Sequence, residues 1–392
     1  MSRPASIPLR DLLTEVKPGY ACGEEAGDGI LQIRMNNVTR DGQLDLSKKR
    51  LVPRQSERME KFSLRPGDVL FNATNSPDLV GKTALFAQST EAVFSNHFYR
   101  LRVDHTKVLP GYLARWLQMQ FRRGVFKSMC QQWVNQATVN RDALLRLDFP
   151  VPALPQQRRI NDVLDCMDKL RAERRQALAM LDELERSTFL QMFGDIRENN
   201  KRLTVARLGN LTDVGTGSTP PRSVATNYGG KIPWVKTAEV RGSRIMDTEE
   251  KITDSGRVGA KSHVFPADSI VVAMYGQGAT RGRSAVLGVP AATNQACAVL
   301  LPSPNFETEF MFVQLKLSYE RLRMLARGGN QANLNLKMVS EFEVLLPPLS
   351  QQRKFVAVSK EIEKLRAGAH SGSIELDALF ASLQDKAFRG EL

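Results

Sequence analysis

Cysteine and histidine are scarce in this sequence of 392 residues, with four of each. The histidines have no ligand-like spacing with cysteines or acids, and the cysteines lack the CxxC spacing of zinc and redox sites. Scattered thiols are typical of proteins in the reducing cytoplasm. We therefore expect a cytoplasmic protein without a bound metal, in which four thiols stay reduced: Cys22, Cys130, Cys166 and Cys297.

Long apolar runs are also missing. No run approaches the roughly 20 residues that a membrane-spanning helix needs. The opening residues MSRPASIPLR lack the apolar core of a secretion signal. The sequence therefore predicts neither a membrane protein nor a secreted one.

Catalytic motifs are incomplete. The segment 76–83 resembles a phosphate-binding P-loop, but Ser76 stands where the first glycine should be, and we expect a strand rather than a helix after Lys82. The segment 75–78, NSPD, lacks the second proline and the aromatic residue of an adenine-methyltransferase motif. No Gly-rich S-adenosylmethionine loop accompanies it, and no pair of acids with a nearby lysine marks a nuclease. We interpret the chain as non-catalytic.

Positive charge is abundant instead. Lysine and arginine exceed aspartate and glutamate by 13, and the isoelectric point is about 9.7. A folded chain this basic generally has a polyanionic partner. Because neither long helix sets a basic face opposite a broad apolar one, the balance favours nucleic acid over a membrane surface.

Two stretches of the sequence carry the same long-helix pattern. Apolar residues alternate three and four apart, a spacing that lines one side of a helix packed against another helix. An offset of 195 residues aligns the QQRR block at 156–159 with QQRK at 351–354, and KLRA at 169–172 with KLRA at 364–367. The predicted seam between the helices comprises Ile160, Val163, Met167, Leu170, Leu181, Leu184, Phe355, Val358, Ile362, Leu365, Leu376 and Leu379.

The segments before these helices share an order of motifs at an offset near 200 residues. PGD at 66–68 returns as PAD at 266–268, GKTA at 81–84 as GRSA at 282–285, and NQATVN at 135–140 as NQANLN at 330–335. In the first segment we expect strands at 30–35, 69–71 and 98–103 and a helix over 112–129. The sequence therefore predicts a duplicated protein with divisions at 1–155, 156–195, 196–349 and 350–392.

This order of a variable unit, an LPQQRR helix, a second variable unit and an LPPLSQQRK helix resembles the specificity subunit of type I restriction-modification systems. The run from Gly217 to Trp234 and the Gly-Asn-Gln before the second helix support the resemblance, although Val134 replaces that glycine in the first unit. The resemblance implies an α+β fold in which two α/β target recognition domains are separated by two long antiparallel helices. These helices would form a coiled coil with internal pseudo-two-fold symmetry.

The same resemblance implies the function. Each variable unit would read one half of a bipartite, asymmetric sequence in double-stranded DNA. The helices, about 57 Å long at 1.5 Å per residue, would space the units and bind two modification subunits in a bacterial or archaeal cytoplasm. S-adenosylmethionine, and ATP and Mg with any restriction subunits, would belong to those partners, and this chain would hold no cofactor.

Candidate DNA contacts lie in glycine-rich loops, because arginine bridges guanine and asparagine or glutamine bridges adenine in the major groove. The loop at 276–283 is the strongest, and a solvated hairpin tip is the alternative interpretation. Equivalent loops of a pseudo-two-fold protein are expected to face the same side. Gln136 and Gln331 recur at equivalent places, which suits scaffold or backbone contacts better than base reading. The candidates are Asn72, Asn75, Lys82, Gln136, Tyr275, Gln277, Arg281, Arg283 and Gln331.

Two other functions stay open from the residues alone. A fused or stand-alone DNA methyltransferase is disfavoured by the missing motifs, and a coiled-coil interaction protein without DNA leaves the positive charge without a purpose. The second helix contains Gly368 and Gly372, each of which costs about 1 kcal/mol relative to alanine in a helix. We therefore expect that helix to kink or fray there unless a partner chain covers it.

Overall fold

The computed structural model describes residues 5–134, 136–276, 278–326 and 333–392. They fall into two compact units, one of Met1–Arg174 with Gly372–Leu392 and one of Arg175–Ser371. Each of the two long helices, Leu154–Phe193 and Leu349–Arg389, is divided between the units.

The first unit contains twelve strands and five α-helices among its described residues. In chain order they are β1 (Ser6–Pro8), β2 (Leu13–Pro18), β3 (Ile30–Ile33), β4 (Leu51–Val52), α1 (Ser56–Phe62), β5 (Asp68–Asn72), β6 (Thr74–Asn75), β7 (Thr83–Phe86), β8 (Ala92–Phe94), β9 (Phe98–Val103), α2 (Pro110–Arg122), α3 (Val125–Met129), β10 (Gln131–Gln132), β11 (Ala137–Thr138), α4 (Arg141–Leu145), β12 (Asp148–Pro150) and the start of α5 (Leu154–Phe193). The expected helix over 112–129 is thus two helices, because Gly124 adopts a left-handed backbone between them (φ 74°).

Among its described residues the second unit contains ten strands and the end of α5, followed by six further α-helices. They are β13 (Val205–Arg207), α6 (Leu208–Leu211), β14 (Val214–Thr216), β15 (Tyr228–Val235), β16 (Arg244–Ile245), β17 (Lys251–Ile252), α7 (Asp254–Gly259), β18 (Ile270–Ala273), β19 (Ser284–Leu287), β20 (Ala292–Thr293), β21 (Cys297–Leu300), α8 (Thr308–Leu317), α9 (Tyr319–Leu325), α10 (Leu336–Ser340), β22 (Glu343–Leu345) and α11 (Leu349–Arg389), which ends in the first unit.

The sheets of the two units follow the same plan. The antiparallel order β2-β9-β5-β7 corresponds to β14-β21-β18-β19, to which β16 adds a parallel edge strand. The order β4-β3-β8 corresponds to β17-β15-β20, and the pair β1-β12 to β13-β22. Even the register is repeated, because Leu70 faces Ala84 as Val271 faces Ala285. The duplication predicted from short motifs therefore extends to the strand pairing.

The core of each unit lies where the sheet, one helix and the ends of both long helices meet. In the first unit Phe71 of β5, Trp116 of α2 and Phe388 of α11 belong to one buried cluster. In the second unit Phe189 of α5 lies 5.6 Å from Phe310 of α8 and 5.4 Å from Phe355 of α11, measured between ring centroids. Each sheet is therefore fixed to both long helices by large apolar side chains.

The second glutamine of each repeated QQR block connects helix to helix. Gln157 Oε1 accepts a hydrogen bond from the backbone N–H of Leu109 (2.8 Å), the residue before α2. Gln352 Oε1 accepts the equivalent bond from Glu307 (2.9 Å), the residue before α8. Both side chains are fully buried and satisfy a backbone donor that the helix leaves unpaired. A structural requirement thus explains why both copies carry this glutamine.

The seam between the long helices differs from the predicted one at several positions. The inward positions still alternate four and three apart, but they include polar residues. They are Ile160, Leu164, Met167, Arg171, Arg174, Leu178, Leu181 and Glu185 on α5, and Phe355, Ser359, Ile362, Arg366, Ala369, Ser373, Leu376 and Phe380 on α11.

Of the predicted seam residues, four are buried, namely Ile160, Met167, Phe355 and Ile362, and three are half-buried, namely Val163, Leu181 and Leu376. The prediction is wrong for Leu170, Leu184, Val358, Leu365 and Leu379, which are exposed. Most inward positions beside these five residues are polar. The predicted pattern, which used only apolar residues, therefore included the neighbouring apolar residue at each of these places.

The arginines of the repeated KLRA blocks explain those polar positions. In the first unit Arg171 Nε lies 2.5 Å from Asp377 on the opposite helix, and its guanidinium lies 4.6 Å from the centroid of the Phe380 ring. In the second unit Arg366 makes the equivalent ion pair with Asp182 (3.0 Å) and another with Glu185 (3.3 Å). The two copies therefore keep one interhelical ion pair in common.

The second long helix is continuous, so the expected fraying at its glycines is wrong. At Gly372 a β-carbon would lie 3.3 Å from the Arg174 guanidinium, which is tighter than an ordinary van der Waals contact. A small residue there leaves room for an arginine in the seam, and the packing offsets the low helix propensity of glycine.

Candidate nucleic-acid interface

The loop between β18 and β19 in the second unit is held in a closed hairpin. Gly282 adopts a left-handed backbone (φ 85°) and donates its N–H to the carbonyl of Ala273 (2.8 Å). Helix α9 supports the loop, because Tyr319 Oη donates to the carbonyl of Ala279 (2.8 Å) and Arg323 Nη1 to that of Gly278 (2.7 Å). Hydrogen bonds from α9 therefore hold the loop in position.

The candidate contacts of this loop lie in different surroundings. Tyr275 is exposed, and Arg281 and Arg283 are half-buried. Gln277 lies outside the described residues. The structure therefore places two guanidinium groups and one aromatic ring at or near the surface of this hairpin, where they can reach a ligand.

The equivalent hairpin of the first unit repeats the backbone but not the side-chain chemistry. Gly81 donates its N–H to the carbonyl of Asn72 (2.8 Å), as Gly282 does to Ala273. Lys82, which corresponds to Arg283, turns inward: its amine donates to the carbonyl oxygens of Met35 (2.9 Å) and Val38. Burial lowers the pKa of the Lys82 amine. Assigning Lys82 to a DNA-facing surface is therefore wrong.

Two asparagines of the first unit also serve the loop itself. Asn72 is fully buried, and its Nδ2 donates to the carbonyls of Thr74 and His97 (both 3.1 Å). Asn75 is half-buried and donates to Asn72 Oδ1 (2.6 Å), while its own Oδ1 accepts from Ser76 N–H (2.8 Å). Asn72 is thus excluded as a base contact, and Asn75 is engaged in the same network.

The resemblance of this segment to a P-loop ends at Thr83. This residue begins strand β7, whereas a P-loop continues into a helix whose N-terminus binds phosphate. The interpretation as a turn between strands is confirmed.

A second hairpin of the first unit is the main feature that the sequence analysis missed. Strand β10 pairs with β11, and β11 pairs in turn with β6. Trp133 N–H donates to the carbonyl of Gln136 (2.7 Å) across the tip of the β10–β11 hairpin. Trp133 is 70% exposed and Val134 is 99% exposed. An aromatic residue after Gln131 and Gln132 was the available signal. The candidate Gln136 is exposed on this tip, while Gln331, its counterpart, lies outside the described residues.

An apolar surface accompanies the helix seam within each unit. In the first unit Leu170 and Leu379 are exposed, and in the second unit Leu365 and Leu184 are their equivalents at the 195-residue offset. Each leucine immediately precedes a seam residue, and such positions of two antiparallel helices share one flank. We call each pair a leucine flank. Exposed apolar residues that lie together are typical of protein interaction surfaces.

No group of three or more histidine, cysteine, aspartate or glutamate side chains among the described residues is placed to hold a metal ion. None of the described helices is long and apolar enough to cross a membrane.

The match to a known protein family agrees with the duplicated architecture. The protein-family model that describes the type I restriction modification DNA specificity domain matches residues 32–180 and again residues 200–368. The two matches cover most of the chain, and each match enters one of the long helices.

Curated relatives are similar along much of the chain. A putative type I restriction enzyme MjaX specificity subunit from Methanocaldococcus jannaschii is 22% identical over 379 residues, covering 91% of this chain and 86% of the relative. The EcoR124I/EcoR124II specificity subunit from Escherichia coli is 22% identical over 268 residues, covering 67% of this chain and 65% of the relative.

Solved structures share the fold. A chain from a structure on complex assembly and conformational transition of the type I R-M system aligns with a TM-score of 0.61 and 18% identity, covering 100% of this chain and 99% of that chain. The S subunit of a type I system from M. genitalium aligns with a TM-score of 0.58 and 13% identity, covering 98% and 96%.

Proposed function

Because the chain belongs to the type I restriction-modification DNA specificity family, and is the non-catalytic DNA specificity subunit of such a system, we propose that each unit reads one half of a bipartite sequence in double-stranded DNA. The observation that carries the proposal is the repetition of one scaffold with different surface side chains. Lys82 is buried where Arg283 is accessible, and Trp133 stands on a hairpin tip of the first unit. Two scaffolds with different reading surfaces favour two unrelated half-sites.

The contacts we propose for DNA are those that reach the surface. In the first unit they are Trp133 and Gln136, with Asn75 at the margin; in the second they are Tyr275, Arg281 and Arg283, with Gln277 and Gln331 from the sequence. An exposed aromatic ring can stack on a base, and arginine can bridge guanine or bind phosphate.

The long helices serve, in our proposal, to space the units and to bind two modification subunits. Helix α5 has 40 residues, which at 1.5 Å per residue gives a length of about 60 Å. The duplicated leucine flanks support two equivalent docking surfaces, one for each copy of a partner. The modification subunits would hold S-adenosylmethionine and methylate adenine, and restriction subunits would use ATP and Mg. A DNA ligand of this kind implies a cytoplasmic location.

Mapping of methylated adenines tests the reading function. The chain is co-expressed with its modification subunit in a host that lacks adenine methylation, and modified positions are read across the genome. We expect a two-part motif with unrelated halves and a fixed gap. Expression of either protein alone should leave the genome unmethylated. A palindromic motif, or a motif in one piece, would contradict the proposal that two diverged units read separate half-sites.

A further inference from the structure

A surface cavity of about 380 Å³ lies beside the β18–β19 hairpin in the second unit. Three cationic side chains line it from separate elements: Arg241 from the loop before β16, Arg283 from the hairpin and Lys316 from α8. Its remaining lining consists of Gly242, Ala279, Gly282, Ser284 and Tyr319. The residues that line the cavity carry three positive charges and no carboxylate, and although Glu185 pairs with Lys316, the two arginines leave the cavity attractive to an anion.

The cations retain donors for a ligand. Arg241 uses its Nε for the carbonyl of Ala238 (2.8 Å), which fixes the side chain and leaves both Nη groups available. Arg283 makes no side-chain hydrogen bond or ion pair with any described residue. The Lys316 amine contacts Glu185 at 3.1 Å, and an ammonium group has two further protons to donate.

A buried hydroxyl in the lining of the cavity is also suited to contact an anion. Ser284 is 2% exposed, and its Oγ has no hydrogen-bond partner among the residues that the structure describes. An unpaired buried polar group is unfavourable and uncommon, so each one requires an explanation. An oxygen of a bound anion would accept the hydroxyl proton and complete the site.

The corresponding cavity of the first unit has different chemistry. It is lined by Arg40, Arg122 and Lys127, but also by Asp41 and Asp78. The Lys127 amine is already paired with Asp78 at 2.7 Å. Lys82, the counterpart of Arg283, is buried and bonded to backbone carbonyls. The first unit therefore keeps the cavity but neutralises much of its positive charge.

We propose that the cavity formed by Arg241, Arg283, Ser284 and Lys316 binds one phosphate group of the DNA backbone and positions the duplex against the second unit. The inference rests on the proposed function and adds a residue-level phosphate site that only one of the two units contains. Phosphate contacts set the register of a protein on DNA without reading its sequence. Arg283 is thereby assigned to the backbone rather than to a base.

The test measures binding of the full chain, assembled with its modification subunit, to a duplex that contains the mapped site and to a scrambled duplex. Arg283→Ala should weaken binding about tenfold for both duplexes, because a charge-assisted bond is lost. The slope of log affinity against log salt should become shallower by about 0.9. Arg241→Ala should cause the same loss of affinity and the same change of salt slope. Arg283→Lys should keep most of the affinity of the parent chain. Lys316→Ala is unsuitable, since it removes a partner of buried Glu185.

Lys127→Ala, which removes one charge from the cavity of the first unit, is the matched control and should leave affinity and slope unchanged. Ser284→Ala should weaken binding without lowering the melting temperature, because no protein hydrogen bond is lost. An equal loss in Lys127→Ala, an unchanged salt slope in Arg283→Ala, or a loss confined to the mapped site would each overturn the phosphate assignment.

Competition with inorganic phosphate shows whether the cavity binds a phosphate group of DNA or a free phosphate ion. If the cavity serves DNA, phosphate should compete with the duplex in the parent complex and lose that effect in Arg283→Ala. Phosphate binding abolished by Arg283→Ala, together with unchanged DNA affinity, would assign the cavity to a free anion instead. Failure of the parent complex to bind either duplex would reject the proposed function, whereas normal binding by every variant rejects only the cavity.

Discussion

Lys82 in the first unit and Arg283 in the second occupy equivalent positions, but the lysine is buried and the arginine is only half-buried. Lys82 and Arg283 both follow a glycine that closes a hairpin, and the sequence offers no visible difference between them. The Lys82 amine donates to the carbonyls of Met35 and Val38, which lie in a short 3-10 helix and at its end. The hairpins are recognisable in the sequence from their glycines. The inward turn of Lys82 is not, because the carbonyls that accept from it lie more than 40 residues away in the chain.

Trp133 provides a test of DNA contact at the residue scale. Its ring is largely exposed, so Trp133→Ala should leave the melting temperature within about 1 °C, since surface substitutions change stability little. Stacking of an aromatic ring on a base contributes about 1–3 kcal/mol. We therefore expect an affinity loss of that size for the mapped duplex, measured by fluorescence anisotropy.

Trp133→Phe is the control, because it keeps an aromatic face and should retain most of the affinity. Substitution of another exposed apolar residue, Met246→Ala in the second unit, tests whether any loss of surface area has the same effect. Unchanged affinity in Trp133→Ala would remove this hairpin tip from the DNA interface.

At the scale of the element, the long helices show what periodicity can and cannot predict. Their existence and pairing follow from the spacing of Ile160, Met167, Phe355 and Ile362, whereas the antiparallel arrangement was implied by the family resemblance. The full seam could not be predicted, because Arg171 and Arg366 occupy inward positions through ion pairs with the opposite helix. Because the predicted pattern used only apolar residues, it selected the exposed leucines of the leucine flanks in place of these arginines. The error is informative, since it separates residues that stabilise the fold from residues that remain exposed.

Two matched pairs of leucines test this separation. Leu376→Asp in the first unit and Leu181→Asp in the second introduce a carboxylate at half-buried seam positions. Each should lower the free energy of unfolding by roughly 2–3 kcal/mol, because a charge loses water without gaining a partner. Chemical denaturation of the full chain measures the change.

The neighbouring substitutions Leu379→Asp and Leu184→Asp fall on the leucine flanks and should leave the unfolding free energy within about 0.5 kcal/mol. They should instead weaken binding of the modification subunit, with sedimentation showing one partner lost for each flank altered. Equal destabilisation by the seam and flank substitutions would show that the flanks are part of the helix packing.

For the whole molecule, duplication explains why so much of the architecture was accessible from sequence. Motifs such as PGD and PAD mark the same turn twice, and the strand order that follows is repeated in both units. The surface chemistry was less accessible, because it depends on loops that diverged between the copies. Trp133 and the Arg241–Arg283 cavity have no common motif, although each occupies a defined place on a shared scaffold.

Exchange of one unit tests whether the two copies read independently. Replacing residues 1–150 with the equivalent segment of a related specificity subunit keeps both long helices and the entire second unit. Because the second unit has its own sheets and its own buried core, we expect its half-site to be retained while the other half-site becomes that of the donor. Adenine mapping of the chimeric complex gives both halves in one experiment, and the reciprocal exchange of residues 196–349 is the control. Loss of both half-sites in a chimera that folds and binds its modification subunits would show that the units do not read DNA separately.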